Sequence, residues 1–306
     1  MISIIIPTYN ASRYIEKNIR NLLSNVPKKT EIIVVDDGST DSTVSILKRF
    51  KRIKLISRKH TSPAKVRNVG WRKARGNIVI FLDSDCFVTK NWFKEMIKPF
   101  KERDVIAVSG VYLTKQKKLI SRYIQHQISY RQSKVKKYTD NLASYSLAVK
   151  RKFLVKIRGF PEVYKTASAE DTELSYRLKK FGKFVLNKKA KVYHNHSESA
   201  ERYLKKQFNH ARYRVLLYRR GNSMGDKYAD FKILSQPILA FLSLFSIFNS
   251  YFLFFLAALF VLQLTEIKTK LNKWEFVLFS MITGTVRAYV WMVGMMHGVL
   301  EFGGKR

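Results

Sequence analysis

The chain is predicted to open with an α/β domain, a mostly parallel sheet with helices on both faces, and to close with a pair of apolar helices. Three observations carry this expectation. Short β-branched runs alternate with helical patterns from Ile2 to Val111. Polar, acid-containing segments follow the ends of several of those runs. From Ile233 to Thr265 there is no charged residue in 33 positions.

The strands are expected at Ile2–Ile6, Glu31–Val35, Ile53–Ser57, Ile78–Leu82 and Val105–Val111, each a short apolar run bounded by polar residues. Helical patterns fall between them at Ser12–Ser24, Thr40–Phe50, Pro63–Arg75 and Asn91–Phe100. Thr40 with Asp41 behind it offers N-cap chemistry, and Gly76 reads as a helix stop. Strict alternation of this kind builds an open sheet covered by helices. Ligands of such sheets bind in the crevice beyond the carboxyl ends of the strands.

Composition narrows the partners. The 306 residues hold 58 Lys+Arg against 22 Asp+Glu, a formal charge of +36. That excess calls for a polyanionic neighbour: nucleic acid, an anionic membrane surface or a phosphorylated substrate. One cysteine, Cys86, excludes an intramolecular disulfide framework and a Cys-built zinc site. Ser3–Ile6 is too short to be the apolar core of a secretory signal, so none is expected ahead of the first strand.

Three segments follow strand ends: Pro7-Thr8-Tyr9-Asn10, Asp36-Asp37-Gly38-Ser39-Thr40-Asp41 and Asp83-Ser84-Asp85. Asp37 can accept a hydrogen bond from a ring N–H, Tyr9 can stack beside a base, and Gly38 permits a tight reversal. Asp83 and Asp85, two apart in an extended stretch, would share one side. Hard oxygen ligands so placed suit Mg²⁺ or Mn²⁺ bridging phosphates, and without the cation the two carboxylates should be strained. A lone D-x-D is usually a solvated loop, but here three polar segments converge.

These residues carry a resemblance. SIIIPTYN (3–10), VVDDGSTDST (34–43), PAKVRNVGWRKARG (63–76) and FLDSD (81–85) resemble the family 2 glycosyltransferases of GT-A, Rossmann-like fold. GFPE (159–162), AEDTELSYRLKKFG (169–182) and VYHNH (192–196) continue the likeness, which covers about residues 1 to 220. It implies an inverting enzyme that uses a nucleotide-diphosphate sugar and Mn²⁺ or Mg²⁺. Asp37 would contact the base, with Pro7, Thr8 and Tyr9 lining base and ribose. Arg67, Asn68, Asp83 and Ser84 would lie near the diphosphate or donor sugar. Asp85 would be the more direct metal ligand of the D-x-D pair, with His194 a further candidate. Asp171 would be the general base and Glu170 its support. Residues 1–200 would form the catalytic domain, with a nucleotide-sugar half (1–104) and an acceptor half (105–200).

The residues around Glu170 and Asp171 also have a reading of their own. Glu170 and Asp171 begin a helical pattern in which Leu174, Leu178 and Phe181 share an apolar face. Acids in a first turn are favoured by the helix dipole alone. An alcohol attacking an anomeric carbon must nonetheless lose its proton, which requires a base. His194 and His196 follow an expected strand, Ala190–Tyr193, and period two would point both to one side; both are also ordinary surface residue types.

Toward the C-terminus, 201–232 holds nine Lys/Arg against three acids and reads as a basic amphipathic segment lying on the membrane surface. Residues 105–139 hold eight Lys/Arg and no acid, either a solvated face or a lipid-phosphate surface. Residues 233–306 are expected to form a transmembrane hairpin with spans about 237–264 and 276–300, the alternatives being a buried core hairpin or a re-entrant pair. Arg287, Trp291, Gly294 and Gly298 share one face of the second span. Gly294 and Gly298 would permit close helix packing. Arg287, with Trp291, would either pair within the protein or contact a lipid-phosphate acceptor. A multi-pass cell-membrane protein with a cytoplasmic catalytic domain follows, although Lys268, Lys270 and Lys273 in the connector weigh against that orientation.

The expected activity is transfer of one sugar to a hydroxyl of a membrane-associated, lipid-linked glycan, since 201–220 lacks the Q-x-x-R-W motif of processive relatives. A polyprenyl-phosphate sugar synthase is the nearest alternative, but its anionic acceptor needs no base. A nucleic-acid-binding membrane protein would leave the acidic segments unexplained, so no nucleic-acid partner is expected.

Overall fold

Alternating runs of Ile and Val need apolar cover on both sides of a strand, and that requirement shapes the N-terminal part of the molecule. The computed structural model describes residues 1–221, 231–267 and 274–304. The chain forms two compact units, Met1–Lys115 with Val135–Asn195, and Gln116–Lys134 with the chain from His196 onward.

The first unit is built on one sheet. Its opening strands are β1 (Ile2–Thr8), β2 (Glu31–Asp36), β3 (Lys54–Ser57) and β4 (Ile78–Leu82), with helices α1 (Ile15–Asn25), α2 (Thr43–Lys48) and α3 (Pro63–Lys73) between them. β5 (Cys86–Val88), α4 (Trp92–Ile97) and β6 (Val105–Leu113) follow. After the excursion into the second unit come β7 (Tyr138–Thr139), β8 (Ser146–Lys150), α6 (Arg151–Ile157), α7 (Glu170–Lys179) and β9 (Lys183–His194). The sheet order is β3-β2-β1-β4-β8-β6-β9-β5, with β7 also on β9. β1 to β4 pair in parallel, but β8 runs antiparallel between β4 and β6. The sheet is thus mixed rather than mostly parallel.

The period of two divides the core. Ile4, Ile6, Val34, Ile80 and Leu82 pack with Ile15, Ile19, Leu47 and Trp92 on one face. Ile5, Ile33, Val35 and Phe81 pack with Val66, Trp71, Phe160 and Leu174 on the other. Gly70 sets the approach of α3 to the sheet, because a Cβ there would lie 2.2 Å from Ile5 Cγ2.

Boundaries differ where local chemistry wins. Ser42 rather than Thr40 precedes α2, while Asp41 accepts from Thr43 and Ser12 N–H. α3 ends at Lys73, before Gly76, whose tight contact is with Ser3 backbone.

The second unit is helical: α5 (Leu119–Ser133), α8 (Ala200–Arg219), α9 (Phe231–Ser243), α10 (Leu253–Glu266) and α11 (Trp274–Phe302). α5 therefore belongs with the C-terminal helices, so the boundary expected near 200 does not divide the chain cleanly. The expected span 237–264 is not one helix. Pro237 lies inside α9, and 3-10 turns at Leu244–Ile247 and Ser250–Phe252 flank an extended Asn249 with φ −153°. The span 276–300 does lie within α11. Among the described residues, α11 is one helix long and apolar enough to cross a membrane, and the paired hairpin of spans is not formed. Residues 222–230 of the basic segment and connector lysines 268, 270 and 273 lie outside the described residues. The described part of that segment, α8, is not a free amphipathic helix: Gly294 and Gly298 of α11 rest on the backbone of Phe208 and Arg212.

Candidate active site

The carboxyl ends of β1 and β2 are tied together before any ligand arrives. Asp37 N–H donates to the Thr8 carbonyl at 2.9 Å, and Asn10 Oδ1 accepts from Thr40 N–H at 2.8 Å. Asn10 is left-handed at φ 46°, a conformation Asn tolerates, and Gly38 turns at φ 77° where a Cβ would meet His60 N at 2.9 Å. Asp37 is buried. Its Oδ1 accepts from Thr61 N–H and Oγ1 at 2.9 and 3.0 Å, and its Oδ2 lies 3.0 Å from His60 Nδ1.

His60 is 58 % exposed at the side chain, and its ring lies 4.3 Å from that of Tyr9. Sequence reasoning missed His60 and Thr61. The signal was there: they follow β3, a further strand whose carboxyl end reaches the same edge of the sheet. Pro7 lies within β1, and the Thr8 hydroxyl is buried with no hydrogen-bond partner. A buried hydroxyl left unsatisfied beside the crevice fits a site that awaits a polar ligand.

Arg67 organises the next cluster. It projects from α3 and is almost fully buried, with Nη2 donating to Asp83 Oδ1 at 2.9 Å and Nη1 to Glu170 Oε1 at 3.3 Å. Glu170 Oε2 also accepts from Ser168 N–H at 2.7 Å. Asp171 stands beside this pair in the first turn of α7, accepting from Thr172 N–H at 2.9 Å and from Ser144 N–H. Burial raises its pKa first and the neighbouring Glu170 carboxylate adds to the rise; Arg67 opposes both, leaving Asp171 at about 7. A carboxylate poised near neutrality is suited to taking a proton.

Asn68 does not fit the donor-contact role expected for it. Fully buried, it donates to the Phe160 carbonyl and Glu162 and accepts from Phe160 N–H and Trp71 Nε1, locking the loop before α7.

Asp83 and Asp85 do not lie in the extended stretch expected of them. Cys86 N–H bonds back to the Asp83 carbonyl at 3.1 Å, so Ser84 and Asp85 form a turn. Asp83 goes to Arg67, while Asp85 Oδ2 lies 3.1 Å from His194 Nε2. Each carboxylate therefore has its own partner, a guanidinium for Asp83 and an imidazole for Asp85.

Asp85, Cys86 and His194 bring potential ligand atoms within 4.8 Å of one another. Burial, then Asp85 and Asp83, push the Cys86 thiol well above its ordinary value, and soft sulfur is in any case a poor donor for the hard cations that carboxylates hold. The remaining oxygen and imidazole donors fit Mn²⁺ or Mg²⁺. Tyr112 backs the imidazole at 4.5 Å and stacks on Tyr145 at 3.4 Å.

His196, expected on the same side as His194, belongs to the helical unit. There it is buried, its N–H bonded to Gln116 and its Nε2 2.8 Å from Gln125 Oε1. Arg287 and Trp291 are also buried in that unit. Arg287 donates to Gln127 at 3.0 Å and Gln236 at 2.8 Å, and Trp291 to Gln207 at 2.9 Å.

A parallel core, extended by an antiparallel strand and carrying acids along its carboxyl edge, is the GT-A arrangement. Solved structures agree on the fold. The mannosyltransferase PcManGT of Pyrobaculum calidifontis, in complex with GDP-Man and Mn²⁺, superposes with a TM-score of 0.65 at 18 % identity, over 98 % of this chain and 87 % of that one. Staphylococcus aureus TarS 1–349 in complex with UDP-GlcNAc gives 0.53 at 19 % identity, over 99 % and 92 %.

Residues 3–157 match the family described as Glycosyl transferase family 2, and the chain belongs to it. An uncharacterized glycosyltransferase of Haemophilus influenzae is 34 % identical over 117 residues, 37 % of this chain and 47 % of that protein. The poly(ribitol-phosphate) beta-N-acetylglucosaminyltransferase TarS of Staphylococcus aureus is 35 % identical over 100 residues, 30 % of this chain and 18 % of its own length. The chain thus spans less than half the length of these relatives.

Proposed function

We propose that the protein is an inverting, metal-dependent glycosyltransferase that moves one sugar from a nucleotide-diphosphate donor to a hydroxyl of a membrane-associated, lipid-linked glycan. The observation that supports this reading best is the Asp171 carboxyl in the first turn of α7, beside the Glu170–Arg67–Asp83 chain of charges, where burial and Glu170 raise its pKa. Asp37 accepts the ring N–H of the base as His60 gives way, and Tyr9 covers one base face. Pro7 and Thr8 line the ribose, and Asp83 and Ser84 face the sugar and diphosphate. Asp85 and His194 would hold a divalent cation, whose charge stabilises the departing diphosphate. Asp171 takes the acceptor proton as the new bond forms. Glu170, fixed by Arg67, keeps that carboxyl basic enough to do so.

The decisive measurement is single-turnover transfer at saturating donor. Asp171→Asn should lower it by ~10²–10⁴-fold, the range for loss of a general base, with donor affinity unchanged. Near-normal transfer by the variant would point instead to an anionic phosphate acceptor. Donor binding has its own check: EDTA and Asp85→Ala should each weaken nucleotide-diphosphate binding in calorimetry, and equal affinity in all three conditions would remove the metal assignment.

A further inference from the structure

We infer that the helical unit is a single-leaflet membrane anchor: α9 and α10 dip into one leaflet as a re-entrant hairpin, and α11 lies along the surface instead of crossing. This rests on the membrane-associated reading above and goes further in naming the mode. Four features within this unit carry it.

The first is length. Leu234–Ile247 and Ser250–Thr265 are apolar helices of 14 and 16 residues. At 1.5 Å per residue each reaches about 21–24 Å, short of a hydrocarbon core of about 30 Å.

The second is the connection between them. Phe245, Ile247, Phe248, Tyr251 and Phe254 at the turn are exposed, Ile247, Phe248 and Tyr251 by 81–85 %. Yet the turn supplies partners for much of its own backbone. Phe248 and Asn249 N–H donate to the Phe245 carbonyl, Tyr251 N–H to the Asn249 side chain, and Phe252 N–H to the Asn249 carbonyl. A turn that meets four of its N–H groups from within, dressed in aromatic side chains, suits a medium poor in hydrogen-bond partners.

The third is the face of α11. Leu278, Ile282, Val286, Val293, Met296 and Leu300 are exposed and fall on one side of the helix. Arg287, Trp291, Gly294 and Gly298 occupy the opposite side and are buried against protein.

The fourth feature decides between crossing and lying flat. The C-terminal half of α11 is packed along α8, through Gly294 on Phe208 and Gly298 on Arg212, and Arg212 pairs with Glu301. α8 exposes Arg202, Lys205, Lys206 and Arg219. Were α11 to cross, these cations would be carried into hydrocarbon, where each is costly. With α11 flat, its apolar stripe faces the acyl chains and the cations of α8 meet anionic headgroups. A bilayer of mixed neutral and anionic lipid is therefore the occupant the surface fits.

The test uses the full chain with single Lys51→Cys, Phe248→Cys or Gly304→Cys substitutions, in sealed vesicles of zwitterionic and anionic phospholipid. An impermeant maleimide is applied to one side, then to both. Residues 51 and 304 should react from the same side, and residue 248 from neither until detergent is added. The wild-type chain, whose Cys86 is buried, sets the background. Reaction of residue 248 from the side opposite residue 51 would show a crossing hairpin, and of residue 304 from that side a crossing α11; either overturns the inference. So would free reaction of residue 248 in the vesicle-bound chain. A chain that fails to sediment with vesicles would overturn the membrane reading itself, and protection of residue 248 in a vesicle-free dimer would assign the face to a second copy.

Discussion

Two buried arginines, one in each unit, are used in opposite ways. Arg67 bridges the carboxylates of Asp83 and Glu170, while Arg287 donates to the side-chain amides of Gln127 and Gln236. In the first unit the guanidinium balances charge next to Asp171, the proposed base. In the second it joins three helices, α5, α9 and α11, through neutral partners. A buried cation between acids sets local electrostatics; one held by amides fixes packing.

The contrast can be broken first by stability. Arg67→Leu leaves Glu170 buried beside Asp171 with no guanidinium between them, and should cost about 3–5 kcal/mol in urea unfolding, the range for stranding one partner of a buried pair. Arg287→Met strands two amide acceptors and should cost less, about 1–3 kcal/mol. Equal losses would mean that Arg67 acts as a packing residue like Arg287.

The smaller effect is the sharper one. With Asp171 at about 7, transfer should rise with pH up to about that value and level off above it, because the ionised form is the base. The Glu170 carboxylate raises that value, so Glu170→Gln should move the rising limb to lower pH. Arg287→Met should leave the limb in place. A limb that moved with Arg287, or stayed with Glu170, would undo the distinction in single-turnover pH profiles.

Much of the first unit was legible because its signals are local. Ile2–Thr8, Glu31–Asp36 and Ile78–Leu82 are β-branched runs with acids or turn residues behind them, and their extents shift by two residues or fewer. The antiparallel β8 was not legible, since Ser146–Lys150 is short and owes its place to two neighbours distant in sequence. In the site, Asp37, Asp83, Asp85, Glu170, Asp171 and His194 could be named, but not their pairing. That Asp85 turns to His194 depends on one backbone bond, Cys86 N–H to the Asp83 carbonyl, which no spacing rule conveys. In the second unit hydropathy alone could not distinguish one span from two short helices, because the break falls at a single asparagine within an apolar run.

The Asn68 lock has a consequence for the order of assembly. Its bonds to Phe160 close a separation of 92 residues, and the Arg67–Glu170 bond closes one of 103. Closing loops of that length is entropically unfavourable until other contacts already hold the ends together. During synthesis the first cannot form before residue 160 has been made, nor the second before residue 170. The charge balance around the proposed base is thus among the last parts of the unit to set, and a nascent chain ending at residue 157, where the family match stops, has made β1 to β4 but neither Glu170 nor Asp171.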